Sequence, residues 1–174
     1  MLNAGESMFA YRFEGYWKDV GTIESLWESN MDLLDPNIPL DLNDPEWRIY
    51  SRNPVMPPHY VAKGATIQNS LAAEGCNVLW HGRFSVLFAG RLCGPGAVVR
   101  DSIIMPGSRI EEGATVQYAI VAENSVVGAN SVVGQRPEDM ENKEDWGVAV
   151  IGPGCTLAPD TVVPPKAMID AEEV

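Results

Sequence analysis

Aliphatic residues recur at every sixth position over long stretches between residues 61 and 163. The pattern begins at Val61 and Ile67, runs from 92 to 116, resumes after a five-residue step over 121–133, and returns at 151–163. A sustained period of six suits neither a strand, which needs two, nor an α-helix, which needs 3.6. It is typical of a parallel β-helix, in which three short strands and three corners make one coil. The alternative is an ordinary sandwich of short strands.

Residues that tolerate unusual backbone conformations follow the aliphatic positions. Glycine and asparagine adopt the left-handed conformations that sharp corners require. We therefore predict corners at Gly64, Gly96, Gly107, Gly113, Asn124 and Asn130. With three hexads to a coil, each coil takes about eighteen residues and the aliphatic side chains stack into one interior column.

The first 35 residues carry a different pattern. Residues 10–14 alternate enough to predict a strand, and the loop at 15–22 leads into a helix with Thr22 as its N-cap. One apolar stripe follows at three-and-four spacing: Ile23, Leu26, Trp27, Met31 and Leu34. Because the strand has no earlier partner, we expect residues 1–35 to be the C-terminal end of a truncated domain.

Two other segments divide the rest of the chain. Residues 36–60 are rich in proline, which excludes a helix, and are interpreted as an extended linker with one candidate short strand at 47–50. The β-helix domain is predicted over 61–174. A highly charged segment at 135–148 interrupts the hexads and is predicted to be an exposed loop.

Composition narrows the classes of function. The net charge of −12 over 174 residues argues against nucleic acid and anionic membranes as partners, because both bind basic patches. No apolar run is long enough to span a bilayer. Three cysteines without a dense framework fit a reducing cytoplasm. Cys76 and Cys93 are interpreted as packed free thiols rather than as a disulfide or a metal-binding pair.

One stretch carries a family resemblance. Residues 14–34 read Glu-Gly-Tyr-Trp-Lys-Asp-Val-Gly-Thr-Ile-Glu-Ser-Leu-Trp-Glu-Ser-Asn-Met-Asp-Leu-Leu, and the linker and hexads follow them. The whole arrangement resembles the C-terminal part of the bacterial ADP-glucose pyrophosphorylases. The resemblance implies an enzyme of glycogen biosynthesis that makes ADP-glucose and pyrophosphate from ATP and glucose 1-phosphate with magnesium. It also implies a Rossmann-like catalytic domain, a left-handed β-helix, a homo- or hetero-tetramer and allosteric control.

The chain departs from that pattern because it has no Gly-rich nucleotide loop and no upstream βαβ alternation. Nucleotidyl transfer needs several convergent cations and a metal held by more than one carboxylate. We therefore expect a fragment that is inactive alone, has no catalytic residues of its own and binds no cofactor. A catalytic subunit and a regulatory, non-catalytic subunit are both compatible with it.

The resemblance gives Asp19 a role in the full-length enzyme, where this aspartate helps to hold magnesium beside the nucleotide. A carboxylate is a suitable hard oxygen ligand for that ion. The alternative is a loop aspartate that accepts backbone hydrogen bonds.

A second candidate site comes from arginine spacing. Arg91, Arg100 and Arg109 recur at intervals of nine, so Arg91 and Arg109 would stack about one coil apart and bind a phosphorylated effector. The alternative is a solvated face on which these arginines pair with acidic neighbours, such as Glu111.

Two alternative functions are also compatible with the sequence. His59 and His81 raise the hypothesis of a hexapeptide acyltransferase with a histidine as general base. A non-enzymatic module for self-association is the other, and it fits a fragment well.

Overall fold

From residue 60 onward the chain winds into a parallel β-solenoid with three faces, which confirms the fold class that the hexads predict. The computed structural model describes residues 2–50, 55–90 and 93–171. The left-handed sense of winding stays a prediction. Within the described residues, no helix has both the length and the apolarity needed to cross a bilayer.

Each face is a stack of short parallel strands, one from every coil. The first face contains Tyr60–Val61, Asn77–Val78, Arg109–Ile110 and Val126–Val127, with bridges at Cys93 and Thr156. The second face contains Thr66–Gln68, His81–Arg83, Val98–Arg100, Thr115–Gln117, Val132–Val133 and Val162–Val163. The third face contains Leu71–Ala72, Val86–Leu87, Ile103–Ile104, Ala119–Val121, Ala149–Ile151 and Met168–Ile169.

The strand register fixes the length of a coil. His81 pairs with Val98, Val98 with Thr115, and Thr115 with Val132, so a regular coil is one residue shorter than three hexads predict. The missing residue is lost at the corner between the second and third faces, where the buried positions Val99 and Ile104 are five apart. Val99 therefore points inward, whereas a strict count of six from residue 92 predicts Val98 there.

The interior is a continuous aliphatic column. One inward side chain from each strand joins it, and Val99, Ile104, Ile110 and Val116 have at most 1% of their surface exposed. Inward residues one coil apart, such as Val99 and Val116, lie on adjacent strands of the same face, about 4.8 Å apart, so they stack directly. This burial is the main source of stability for a fold that has almost no helix.

The corners adopt the left-handed backbone conformation that the sequence predicts for them. All six predicted corners have positive φ, from 56° at Asn130 to 88° at Gly64. The corner between the second and third faces differs, because Phe84, Asp101 and Tyr118 occupy it with φ of 47–49°. Next to them, the buried hydroxyls of Ser85 and Ser102 each accept a hydrogen bond from the backbone N–H of the following coil. This serine ladder satisfies the backbone where the corner breaks the strand pairing.

The helix, α1, spans Ile23–Asp32 and follows the sequence expectation closely. The Thr22 side chain accepts a hydrogen bond from the backbone N–H of Ser25, and the Ser25 hydroxyl in turn accepts one from the backbone N–H of Thr22, as in a capping box. Its apolar stripe packs on the outside of the third face.

Two predicted strands are not formed. Residues 10–14 and 47–50 form no strand pairing with any described residue. An alternating pattern makes a strand only where another strand lies beside it. One short 3₁₀ helix, Leu2–Ala4, precedes the first of these segments.

The charged segment at 135–148 leaves the solenoid after the second face and returns to it at the third face of the same coil. It contains two 3₁₀ turns, Pro137–Asp139 and Lys143–Asp145, and then rejoins the third face at Ala149–Ile151. A regular coil would place residue 149 beside Val132, but Val132 pairs with Val162 instead, so the segment lengthens a single coil. Coil stacking continues across it.

Candidate functional site

The loop that precedes α1 presents Asp19 to solvent. Asp19 is exposed, and it forms no ion pair or side-chain hydrogen bond with any described residue. Over the described ranges, no group of three or more potential ligands of the types His, Cys, Asp and Glu comes together. Asp19 thus supplies one hard oxygen ligand, and the described residues do not form a closed metal cluster around it.

The residues next to Asp19 anchor this loop to α1. The Lys18 ammonium lies 2.9 Å from Asp32 Oδ2 and 3.2 Å from Glu28 Oε2, and the Tyr16 hydroxyl donates to the same Asp32 oxygen at 3.0 Å. The hydrogen bond from Lys18 is the main cause that lowers the pKa of Asp32, and the one from Tyr16 adds to it. The Lys18 ammonium is therefore paired with carboxylates of α1, whereas the Asp19 carboxylate of the same loop has no partner among the described residues.

Helix α1 is held on the third face by apolar contacts. Met31 and Leu34 pack against side chains that point outward from successive coils, and all of them are at least nine-tenths buried: Val86, Ile103, Ile120 and Val148. Ile23, Leu26 and Trp27 pack along the edge of the same cluster. The solenoid therefore has two apolar layers on the third face, one inside the coil and one beneath the helix.

Trp27 fixes the position of α1 along the solenoid. Its Nε1 donates to the carbonyl oxygen of Asp101 at 2.7 Å, at the corner between the second and third faces. Its ring lies 5.6 Å from that of Tyr118 on the next coil, and Tyr118 makes an edge-to-face contact of 5.3 Å with Trp146. Three aromatic side chains thus join the helix, the corner and the charged segment.

A groove of about 550 Å³ lies beside this aromatic cluster. Its floor is the second face, where Arg83 and Arg100 occupy equivalent positions on adjacent strands. The charged segment contributes Arg136 and Glu138 to one wall, and Asp101 and Tyr118 contribute the corner. Burial raises the pKa of Asp101, and the nearby Arg83, Arg100 and Arg136 oppose that rise.

The chain matches known families over most of its length. A family model described as "GlmU-like, C-terminal hexapeptide" matches residues 57–152, which is more than half of the chain. The chain belongs to this hexapeptide family. A second model, "Nucleotidyl transferase", matches residues 1–36, the segment that contains Asp19 and α1.

Three relatives of this hexapeptide protein carry the same name. A glucose-1-phosphate adenylyltransferase of Clostridium perfringens is 57% identical over 113 residues, which are 64% of this chain and 29% of that enzyme. The enzymes of the same name from Bacillus anthracis and Desulforamulus reducens are 52% and 54% identical over 110 residues. The resemblance drawn from residues 14–34 is confirmed. The match spans less than a third of the relatives' length.

The structure describes only one of the two predicted effector residues. Arg91 lies outside the described residues. Arg109 is exposed on the first face, where its Nη2 is 3.8 Å from Glu111 Oε1, and this agrees with the solvated, acid-paired alternative. An effector role for Arg91 and Arg109 stays a prediction.

The histidines and cysteines of this hexapeptide protein have ordinary surroundings. His81 Nδ1 is 2.9 Å from the Thr66 hydroxyl, and His59 is exposed. The cysteines are free and buried, as predicted, and burial raises the pKa of Cys76 to about 11. Thiols in such surroundings stay protonated and unreactive at neutral pH.

The sequence reading missed the Arg83 and Arg100 pair. The spacing in the sequence could have revealed it, because Arg83 and Arg100 are one regular coil apart. A coil of eighteen residues aligns Arg91 with Arg109 instead. The contribution of Arg136 had no such signal, because the course of the charged segment does not follow the repeat.

Proposed function

We propose that this chain is the solenoid-bearing C-terminal part of a glucose-1-phosphate adenylyltransferase. The complete enzyme would transfer the adenylyl group of ATP to glucose 1-phosphate, giving ADP-glucose and pyrophosphate. One observation carries the proposal. The segment that matches a nucleotidyl transferase contains α1, and α1 is packed on the solenoid of a chain that is 57% identical, over 113 residues, to a glucose-1-phosphate adenylyltransferase.

In this proposal the solenoid is a rigid support. Helix α1 would hold the end of the catalytic domain against the third face through the buried apolar cluster and the Trp27 hydrogen bond. The Lys18, Tyr16 and Asp32 contacts would then fix the loop that carries Asp19. A group that must be placed within a fraction of an ångström benefits from such support.

Asp19 would serve as one magnesium ligand in that enzyme. Magnesium in nucleotide sites is held by one or two carboxylates together with substrate phosphates, and it offsets phosphate charge during transfer. The free, exposed carboxylate and the anchored lysine beside it support this role. The chain alone would not make ADP-glucose, because Asp19 has no cluster of ligands around it among the described residues.

A chimera tests the proposal. This chain would replace the corresponding segment of the Clostridium perfringens relative, and ADP-glucose formation would be measured against magnesium concentration. We expect an active, magnesium-dependent chimera, and Asp19→Asn should lower kcat/KM by at least about tenfold, as weakened metal sites generally do. Asp160→Asn is the matched control, since Asp160 is an exposed corner residue at positive φ, where asparagine is well tolerated.

Two results would contradict the proposal. A folded chimera that makes no ADP-glucose would remove the assigned activity. An Asp19→Asn chimera that keeps the parent's dependence on magnesium would remove the assigned ligand. Self-association, which the resemblance also implies, would be measured on the same samples by sedimentation, and a concentration-independent monomer would exclude it.

A further inference from the structure

The charged segment at 135–148 is an insertion into one coil, and its base is closed by a hydrogen bond. Ala119 pairs with Ala149, thirty residues further along the chain, whereas a regular coil is seventeen residues long, so the insertion adds thirteen residues. Ordering so many residues costs conformational entropy, which contacts must offset. Trp146 supplies one such contact, because its Nε1 donates to the Gln135 carbonyl oxygen at 2.8 Å and joins the two ends of the segment.

Within the segment, the contacts are short-range and lie at the surface. The Gln135 side-chain amide donates to the Asp139 carbonyl oxygen at 2.9 Å, and the Arg136 guanidinium donates to the two Asp139 carboxylate oxygens at 2.7 and 2.9 Å. Exposed ion pairs of this kind contribute little to stability. Residues 141–145 are exposed, whereas Trp146 is half-buried. The segment is therefore held chiefly at its base, where Trp146 lies.

The base of the segment also contacts the anchor of α1. The Trp146 ring makes an edge-to-face contact of 5.3 Å with Tyr118, and the Tyr118 ring lies 5.6 Å from that of Trp27. Val148, two residues after Trp146, is 4% exposed and belongs to the same buried apolar cluster as Met31 of α1. The residues that close the segment thus also hold the helix on the third face.

Tyr118 joins these parts through both its ring and its backbone. Its φ is 47°, a conformation that is costly for a bulky residue and persists only where the surroundings hold it. The Tyr118 carbonyl oxygen accepts a hydrogen bond from the backbone N–H of Ala149 at 3.1 Å, where the chain rejoins the solenoid. Because the Tyr118 ring contacts both Trp27 and Trp146, the loss of either tryptophan removes support from a corner on which the other depends.

We propose that the charged segment and α1 open together, as one cooperative unit, while the coils beneath them stay folded. Opening of the segment would withdraw Trp146 and Val148 from the helix, and opening of α1 would withdraw Trp27 and Met31 from the base of the segment. Such units, which open locally at less than the free energy of global unfolding, are common in folded proteins. The thirteen inserted residues thereby become a conformational control on the position of α1.

This coupling has a consequence for the loop that precedes α1. The Lys18 ammonium is paired with Asp32 of α1 at 2.9 Å, so a helix that loosens would also release the loop that carries Asp19. Cleavage of the chain within the exposed residues 141–145 would act on that loop in the same way. The step to Asp19 rests on the proposed function, whereas the coupled opening of the segment and α1 does not.

Amide hydrogen exchange of the intact chain, read by peptide mass spectrometry, tests the coupling. Trp146→Ala removes one hydrogen bond and one aromatic contact, so exchange should speed up by about tenfold or more in the charged segment. We expect α1 to speed up by a similar factor, and the coils at 98–116 to keep the protection of the parent chain.

The reciprocal variant makes the test sharper, because a coupling free energy acts equally in both directions. Trp27→Ala should speed up exchange in the charged segment as well as in α1. The double variant Trp27→Ala/Trp146→Ala should speed up exchange in either element by less than the product of the two single effects, since both substitutions break the same chain of contacts.

Two further variants serve as controls. Trp47→Ala removes an 83% exposed tryptophan and should leave exchange in both elements unchanged. Trp146→Phe keeps an aromatic ring beside Tyr118 but loses the Nε1 hydrogen bond, so it should speed up exchange in α1 less than Trp146→Ala does. It also replaces Trp146→Ala as the test variant if that chain does not fold, which thermal unfolding establishes.

Three results would overturn the inference. The first is faster exchange in Trp146→Ala that stays confined to the charged segment, and the second is a Trp27→Ala chain whose segment exchanges like the parent. The third is an equal acceleration over residues 98–116, which would mean that the segment and α1 are not a separate unit. None of these measurements needs enzymatic activity, so the coupling and the proposed adenylyl transfer can fail independently.

Discussion

The solenoid buries its aliphatic side chains in an unbroken column, whereas residues 6–20 leave most of their large apolar side chains in solvent. Val99, Ile104 and Val116 are fully buried, while Phe9 and Tyr11 are at least 90% exposed. In the part of the chain that the structure describes, α1 packs on the third face and joins the two regions. The solenoid therefore contains its own core, and the N-terminal segment depends on what α1 and the proposed catalytic domain provide.

This difference has a physical origin in the repeats. Every coil offers the next one an aliphatic layer and an open set of backbone hydrogen-bonding groups, so stability builds up locally from neighbour to neighbour. The N-terminal segment offers one amphipathic helix and a set of aromatic residues without partners among the described residues. We expect the two regions to respond very differently to the same kind of substitution.

The largest effect is expected for truncation inside the column. Ile104→Ala removes a fully buried side chain from a central coil and should cost about 2–5 kcal/mol of unfolding free energy, as such truncations do. Val162→Ala, at a 71% exposed position on the second face, is the control and should change stability by less than about 0.5 kcal/mol. Urea unfolding of both variants measures the difference in unfolding free energy. Similar losses of unfolding free energy in the two variants would contradict a buried aliphatic column as the core of the solenoid.

A smaller and more local effect is expected at the junction of the two regions. Trp27→Ala removes one hydrogen bond and one aromatic contact, together worth about 1–3 kcal/mol. Limited proteolysis should then cut within α1 while residues 98–133 stay resistant. Trp27→Phe keeps an aromatic ring but loses the hydrogen bond, so its rate of cleavage within α1 should lie between those of the parent chain and Trp27→Ala. Trp17→Ala, at an exposed position, should be cleaved like the parent chain.

The smallest effect concerns pH. The pKa of Asp32 is lowered in the folded chain, chiefly by the Lys18 hydrogen bond. The ionised Asp32 carboxylate therefore stabilises the folded chain at pH values above its pKa in the unfolded chain, about 3.9. This stabilisation is lost as the pH falls through the lower pKa of the folded chain. Because Asp32 is more than one-third exposed, the contribution should stay below about 1 kcal/mol. Proteolytic opening of α1 should increase below about pH 4 in the parent chain and lose this dependence in Asp32→Asn.

Sequence reasoning succeeded where the determinants are local. The hexads predict the solenoid, and glycine and asparagine predict the corners, because each of these features depends on a few adjacent residues. Thr22 and the apolar stripe predict α1 for the same reason. The resemblance of residues 14–34 predicts the family.

Sequence reasoning failed where the answer depends on neighbours in space. Val98 and Val99 are equivalent in a local pattern, and only the register of the coils places Val99 inside. The same one-residue error in coil length hid the alignment of Arg83 with Arg100. The strand predicted at 10–14 needed a partner that no local pattern supplies. The contact of Trp146 with Tyr118 depends on the path of the charged segment.

Amide hydrogen exchange of the intact chain tests the central claim most directly, since it compares both regions in one experiment. We expect strong, uniform protection over the coils at 98–133, intermediate protection over α1, and exchange at nearly the free rate over residues 6–20. Equal protection of residues 6–20 and the coils, or coils that exchange as fast as residues 6–20, would contradict the account.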